Sequence, residues 1–86
     1  MLFRSESLPR DVERDLQGIV SSHPSVTHAD SFRTVFFGPQ TAMVAAEVSF
    51  DPGLVTGDID DAINDIEQRL KEADSRVQVV YIEPER

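Results

Sequence analysis

Two histidines and an aspartate lie close together in the stretch SHPSVTHADSFRT, residues 22–34, and could act as metal ligands. Imidazole and carboxylate groups, as in His23, His28 and Asp30, are donors that divalent cations use. Side chains two positions apart in an extended chain point the same way, so His28 and Asp30 are predicted to share one face of a strand. In the alternative interpretation these are polar residues at a helix–strand junction, with His23 beside the last helical carbonyls.

Length and composition exclude several classes of function. A chain of 86 residues forms one domain, taken as residues 1–86 with a core from about 8 to 85. With no cysteine, thiolate chemistry is excluded. The net charge of −8 argues against binding nucleic acid or an anionic membrane. Ser21 and Ser22 precede His23, but no acid is placed to orient that histidine, so no enzyme is predicted.

The first half of the chain predicts a helix followed by a hairpin. Apolar residues recur at helical spacing over residues 8–22, where Ser7 is a candidate cap and Pro24 ends the pattern. Residues 31–37 and 41–50 alternate like strands around a Gly38-Pro39-Gln40 turn. Arg33 is expected to form a salt bridge with Glu47 across this hairpin.

The second half predicts a helix and a last strand. Residues 57–73 carry one apolar stripe, and Thr56 or Asp58 could cap the helix. Residues 77–82 read as a strand that is apolar on both faces, and Pro84 is expected to limit further pairing.

Two helices can cover one face of a three-stranded sheet, which leaves the other face open. The second strand is half apolar on its second face, where a sheet exposed to water would be polar. An exposed apolar patch on a small domain is typical of self-association. A homodimer is therefore predicted, and its interface is assigned to four residues: Met43, Ala45, Val80 and Ile82.

The ordered segments HPSV, FRT, a Gly-Pro turn, VSFDPGL and VVYIEPE resemble the C-terminal cytoplasmic domain of cation diffusion facilitator transporters. The resemblance covers about Leu8 to Glu85 and implies a ferredoxin-like, metallochaperone-like α-β-β-α-β sandwich: a three-stranded mixed sheet with two helices on one face. Members of this family are dimeric exporters of divalent metals. Their soluble domain supports the dimer and in several members binds regulatory metal ions.

The resemblance also implies which positions could hold a metal. Metal-sensing members place a histidine at the entrance of the first strand, one in the second strand, and a His-x-Asp pair late in the last strand. These positions are occupied here by Asp30, Ala46, Tyr81 and Glu83. Zinc prefers four ligands rich in nitrogen or sulfur. His28, Asp30 and Glu83, completed by water or a dimer mate, would suit a harder ion such as manganese.

The predicted function is that of a cytoplasmic dimerisation and regulatory domain of a divalent-cation efflux transporter, without enzymatic activity. Its expected partners are a second copy and, if the chain is an excised fragment, the membrane domain of the same transporter; nucleic acid is not expected. No cofactor is required, although zinc or manganese could bind. The alternative is a free-standing cytoplasmic module of the same fold that binds a metal or a small ligand.

Overall fold

A computed structural model describes residues 7–85 and contains two helices and three strands in the predicted order. The helices are α1 (Arg10–Ser21) and α2 (Thr56–Ala73), and the strands are β1 (Val26–Gly38), β2 (Thr41–Phe50) and β3 (Val77–Glu85). The strands form one sheet in the order β1-β2-β3, in which β1 and β2 are antiparallel and β2 and β3 are parallel. The predicted α-β-β-α-β architecture with a mixed sheet is confirmed.

The hydrophobic core lies between one face of the sheet and the two helices. The central strand β2 buries alternate residues, which explains its strictly alternating pattern: Ala42, Val44, Ala46, Val48 and Phe50. The helices contribute residues at helical spacing: Leu16 and Val20 from α1, and Ala62, Ile66 and Leu70 from α2. We call the uncovered side of the sheet the open face.

A bulge at the start of β3 turns the residues after it to the opposite faces of the sheet from those predicted from the sequence. Val77 pairs with Ala42, but the next pair is Val79 with Met43, so Gln78 is an extra residue. The shift turns Val77, Val80 and Ile82 toward the core, and Ile82 is only 8% exposed. The placement of Val80 and Ile82 on the open face was therefore wrong.

The chain enters α1 differently from the prediction. The helix begins at Arg10, Pro9 occupies the cap position, and no side chain caps the helix. Leu8 lies before the helix and is buried, and its backbone N–H donates to Thr34 Oγ1 at 2.9 Å. The Thr34 hydroxyl in turn donates to Glu13 at 2.5 Å. This small network fixes the start of α1 against β1.

Val55 occupies the cap position of α2, again without a side-chain hydrogen bond.

Both edge strands are longer than the sequence predicted. β1 begins at Val26, five residues before the predicted start, and contains irregularities at residues 27, 30 and 37. β3 continues through Pro84, which pairs with Val48, to Glu85, which pairs with Ser49. Proline is tolerated here because β3 lies at the edge of the sheet, where one side of the strand needs no ladder donor.

Candidate functional site

The open face has an apolar half next to the β1–β2 turn. Met43 and Ala45 of β2 lie beside Val79 and Tyr81 of β3, and Val35 of β1 pairs with Met43. Val79 is 43% exposed and Tyr81 is 58% exposed, which is high for such side chains in a folded domain. Of the predicted interface residues, Met43 and Ala45 are thus on the open face, where Val79 and Tyr81 take the places assigned to Val80 and Ile82.

The other half of the open face is polar and includes the predicted ligands His28 and Asp30. His28 Nε2 lies 2.6 Å from Asp30 Oδ1, and Ser49 Oγ donates to Asp30 Oδ2 at 3.3 Å. Asp30 lies at a bulge of β1 between the pairs Ala29–Val48 and Ser31–Glu47. The bulge supplies the local geometry that brings the Asp30 carboxylate back over Ser49.

Three carboxyl groups meet in this polar half, and we call Asp30, Glu47 and Glu85 the carboxylate cluster. A hydrogen bond to Asp30 is the largest cause that raises the pKa of Glu85 to about 7, followed by a hydrogen bond to Glu47. Desolvation and the negative charges of both neighbours act in the same direction. Two carboxyls can share a hydrogen bond only when one is protonated, so the cluster concentrates negative charge that either a proton or a cation could relieve.

The predicted ligand Glu83 lies beside this cluster. It pairs with Glu47 and lines a shallow depression of about 200 Å³ with Arg33 and Tyr81. Arg33 pairs with Ala45, and among residues 7–85 no ion pair joins it to Glu47, so the expected cross-hairpin salt bridge was wrong. Glu47 and Glu85 were missed as site residues in the sequence, because only the β2–β3 register places Glu85 opposite Ser49, whose hydroxyl contacts Asp30.

The donors of this half suit a hard divalent cation better than zinc. The groups are carboxylate oxygens with one imidazole, His28, whereas zinc sites favour nitrogen and sulfur ligands. Within residues 7–85, no three histidine or acidic side chains are arranged to hold a metal ion as they stand. A cation would therefore have to draw Asp30 and Glu85 into a common coordination geometry.

His23 lies on the helix-covered side, far from the open face in the fold. Its Nδ1 accepts the Ser25 N–H at 3.2 Å, so Nε2 carries the proton and donates to Asp65 Oδ2 at 2.9 Å. This hydrogen bond, together with Arg69, lowers the pKa of Asp65. His23 thus links the end of α1 to α2: its backbone N–H donates to the Val20 carbonyl of the last helical turn at 3.2 Å, as the sequence interpretation expected, and its side chain reaches Asp65.

The sequence also matches a known protein family. Residues 8–86 match the family model described as the cytoplasmic domain of cation efflux proteins. The chain belongs to this family. A comparison with curated proteins finds no match. No helix within residues 7–85 is long and apolar enough to span a membrane.

Solved structures of MamM CTD have the same fold as this cation efflux domain. A nickel form has a TM-score of 0.79 at 13% identity and covers 90% of this chain and 96% of that chain. A cadmium form has a TM-score of 0.78 at 13% identity, with coverage of 88% and 94%. Another MamM CTD variant has a TM-score of 0.77 at 15% identity, with coverage of 87% and 92%. At these identities the similarity establishes the shared fold.

Membership of this family confirms the general function predicted from the sequence. The protein is a cytoplasmic dimerisation and regulatory domain of a cation efflux transporter. The family consists of transporter domains and is not a family of enzymes. The predicted metallochaperone-like fold is confirmed as well.

Proposed function

We propose that this domain joins two copies of its transporter through the apolar half of the open face. The observation that carries the proposal is the exposure of Val79 and Tyr81 beside Met43 and Ala45 on a face that neither α1 nor α2 covers. Burial of apolar surface contributes roughly 25 cal/mol per Å², so a second copy on this face removes an unfavourable exposure from both subunits.

We propose further that the polar half of the open face binds a divalent cation, with manganese preferred over zinc. The ligands would come from His28, Asp30 and Glu83, the residues predicted from the sequence, together with Glu85 of the carboxylate cluster. The nickel and cadmium forms of MamM CTD support this proposal, since they pair the same fold with divalent ions in another protein. A bound cation would neutralise carboxylates that otherwise repel between subunits and would shift the population toward dimers in which these carboxylates lie closer together.

Native mass spectrometry of the chelator-treated domain, with and without added manganese or zinc, tests both proposals together. The wild-type chain should be a dimer, and Tyr81→Asp should raise the dimer dissociation constant at least about tenfold by placing a charge in a desolvated contact. Val55→Asp is the matched control, since Val55 is 65% exposed at the start of α2 and lies outside the open face.

The two proposals fail separately. The dimer interface would be contradicted if the wild-type chain is a monomer both without and with metal. It would also be contradicted if Tyr81→Asp and Val55→Asp have the same dimer dissociation constant. Stoichiometric manganese uptake that is lost in Asp30→Asn would support the cation site. A dimer that takes up no metal would contradict the cation site and leave the interface standing.

A further inference from the structure

Acidic side chains among residues 7–85 are concentrated at one end of the sheet. At one end, β1 begins, β2 ends, α2 begins and β3 ends. We call this the acidic end because eight carboxylates lie there: Asp30, Glu47, Asp51, Asp58, Asp60, Asp61, Glu83 and Glu85. Within residues 7–85, none of these eight is paired with a lysine or arginine, and the ion pairs of Arg69, Lys71 and Arg76 lie elsewhere.

A groove of about 890 Å³ opens at the acidic end, between the end of the sheet and the start of α2. Its floor is apolar and is made of Phe50, Leu54, Ile59 and Pro84. Leu54 and Ile59 are partly exposed, although both pack against the core. The floor therefore offers apolar surface to a ligand without any opening of the fold.

The rim of the groove is negative. Asp51, Asp60 and Glu85 line it, and Asp60 is an exposed residue of the first turns of α2. One oxygen of Asp51 accepts the Gly53 N–H at 2.8 Å, which fixes that carboxylate in place. The groove thus combines an apolar floor with carboxylates on its rim.

The charge of this end restricts what can bind there. A second copy would bring an equally acidic end against it, and nucleic acid or an anionic lipid surface would be repelled. A ligand with apolar stems and cationic heads satisfies both features, because lysine and arginine lay their methylenes on apolar surface and keep the charged group at the edge. We propose that the groove binds a basic, amphipathic segment of another protein.

A pair of peptides tests this proposal on the intact domain in the presence of a chelator. The probe is an acetylated, amidated peptide of four Leu-Arg repeats, and the comparison peptide contains four Ser-Arg repeats with the same charge and no apolar side chains. Binding is measured by fluorescence anisotropy at several salt concentrations. The Leu-Arg peptide should bind at least about tenfold more tightly than the Ser-Arg peptide, because only the former can use the floor.

Two neighbouring variants separate recognition in the groove from general attraction to an acidic protein. Asp60 lines the groove whereas Asp61 lines a different depression beside His23, and both are exposed on α2. Asp60→Asn should weaken the Leu-Arg peptide by about fivefold, as expected for loss of a charge-assisted contact, while Asp61→Asn should change the affinity by less than about twofold. Leu54→Ser should weaken it as well, with folding checked by circular dichroism.

Several results would overturn the proposal. Absence of binding, equal affinity for the two peptides, or equal effects of Asp60→Asn and Asp61→Asn would each show that the groove does not recognise a basic amphipathic segment. None of these results bears on dimerisation or on manganese uptake, which are measured separately.

Discussion

The Glu85 carboxyl should titrate near neutral pH and lose this behaviour when its neighbours are neutralised. Its pKa is raised from 4.5 to about 7 chiefly by the hydrogen bond to Asp30 and then by that to Glu47. Asp30→Asn removes one negative charge and an acceptor, so the pKa of Glu85 should fall back toward 4.5 in this variant.

The sign of the effect on stability follows from proton binding. Between pH 4.5 and about 7 the folded protein binds more protons at Glu85 than the unfolded chain does. The contribution of Glu85 to stability is therefore fully present below pH 4.5 and is lost as the pH rises through about 7. Glu85→Gln cannot ionise, so it should match the wild type at acid pH and exceed its stability at pH 7.5. Asp65 and Asp74 affect stability over a different pH range. Their pKa values are lowered from 3.8, so their contributions to stability are present above pH 3.8 and are lost only as the pH falls below it.

Two measurements check this prediction. The carboxyl carbon of Glu85, followed by NMR, should show a midpoint near 7. Urea unfolding at fixed protein concentration should give a free energy of unfolding that falls less between pH 4.5 and 7.5 in Glu85→Gln than in the wild type. Glu72→Gln is the control, since Glu72 is an exposed carboxylate of α2 outside the cluster. A Glu85 midpoint at its ordinary value, or parallel stability curves for the wild type and Glu85→Gln, would contradict the prediction.

Two further predictions concern the contacts that hold the sheet to the helices. Thr34→Val should lower the free energy of unfolding by about 1–3 kcal/mol, because it leaves the buried Leu8 N–H without its acceptor. Thr27→Val, at an exposed strand start, is the control and should lower the free energy of unfolding by less in the same urea titration. Ile66→Ala should cost about 2–5 kcal/mol, since Ile66 is fully buried and its loss leaves a cavity. Ile63→Ala, at a partly buried position of the same helix, should cost less, and equal losses would show that burial at Ile66 is not the cause.

The elements with unbroken periodicity were predictable from the sequence. β2 was placed from Thr41 to Phe50, the bounds that the structure shows, because every second residue from Ala42 to Phe50 is apolar. The predicted start of α2 differs from the observed start by one residue, and the predicted end agrees, because Ile59, Ile66 and the other apolar residues define one stripe. Strong patterns of this kind reflect burial against a single neighbouring layer, which the sequence records directly.

The faces of β1 were predicted correctly, with Phe32, Thr34 and Phe36 toward the core, whereas the faces of β3 could not be predicted, because a bulge leaves no mark in a two-residue alternation. One extra residue at Gln78 moved Val80 and Ile82 to the core and exposed Val79 and Tyr81. No residue type near Gln78 signals the bulge. It follows from how β3 enters the sheet after α2, which is a tertiary effect.

The candidate cation site was predictable only in part for the same reason. His28 and Asp30 are neighbours in sequence and were recognised as a pair, and the structure brings them within 2.6 Å. Glu85 was missed because Pro84 was expected to end the pairing, whereas the ladder continues past it and places Glu85 opposite Ser49. Glu85, whose pKa is raised to about 7, therefore lies in a segment that the sequence prediction left outside the sheet.

The position of Glu85 also ties the two proposed ligands of the acidic end to each other. Glu85 lies opposite Ser49, next to Asp30, on the open face and also lines the groove beside α2. A cation that draws Glu85 toward Asp30 would remove a negative group from the groove and lower the affinity for a basic segment. Binding free energies are reciprocal, so a bound basic segment would weaken the cation site by the same factor. If both proposals hold, Glu85 alone would couple metal binding to partner binding, without any change in the fold.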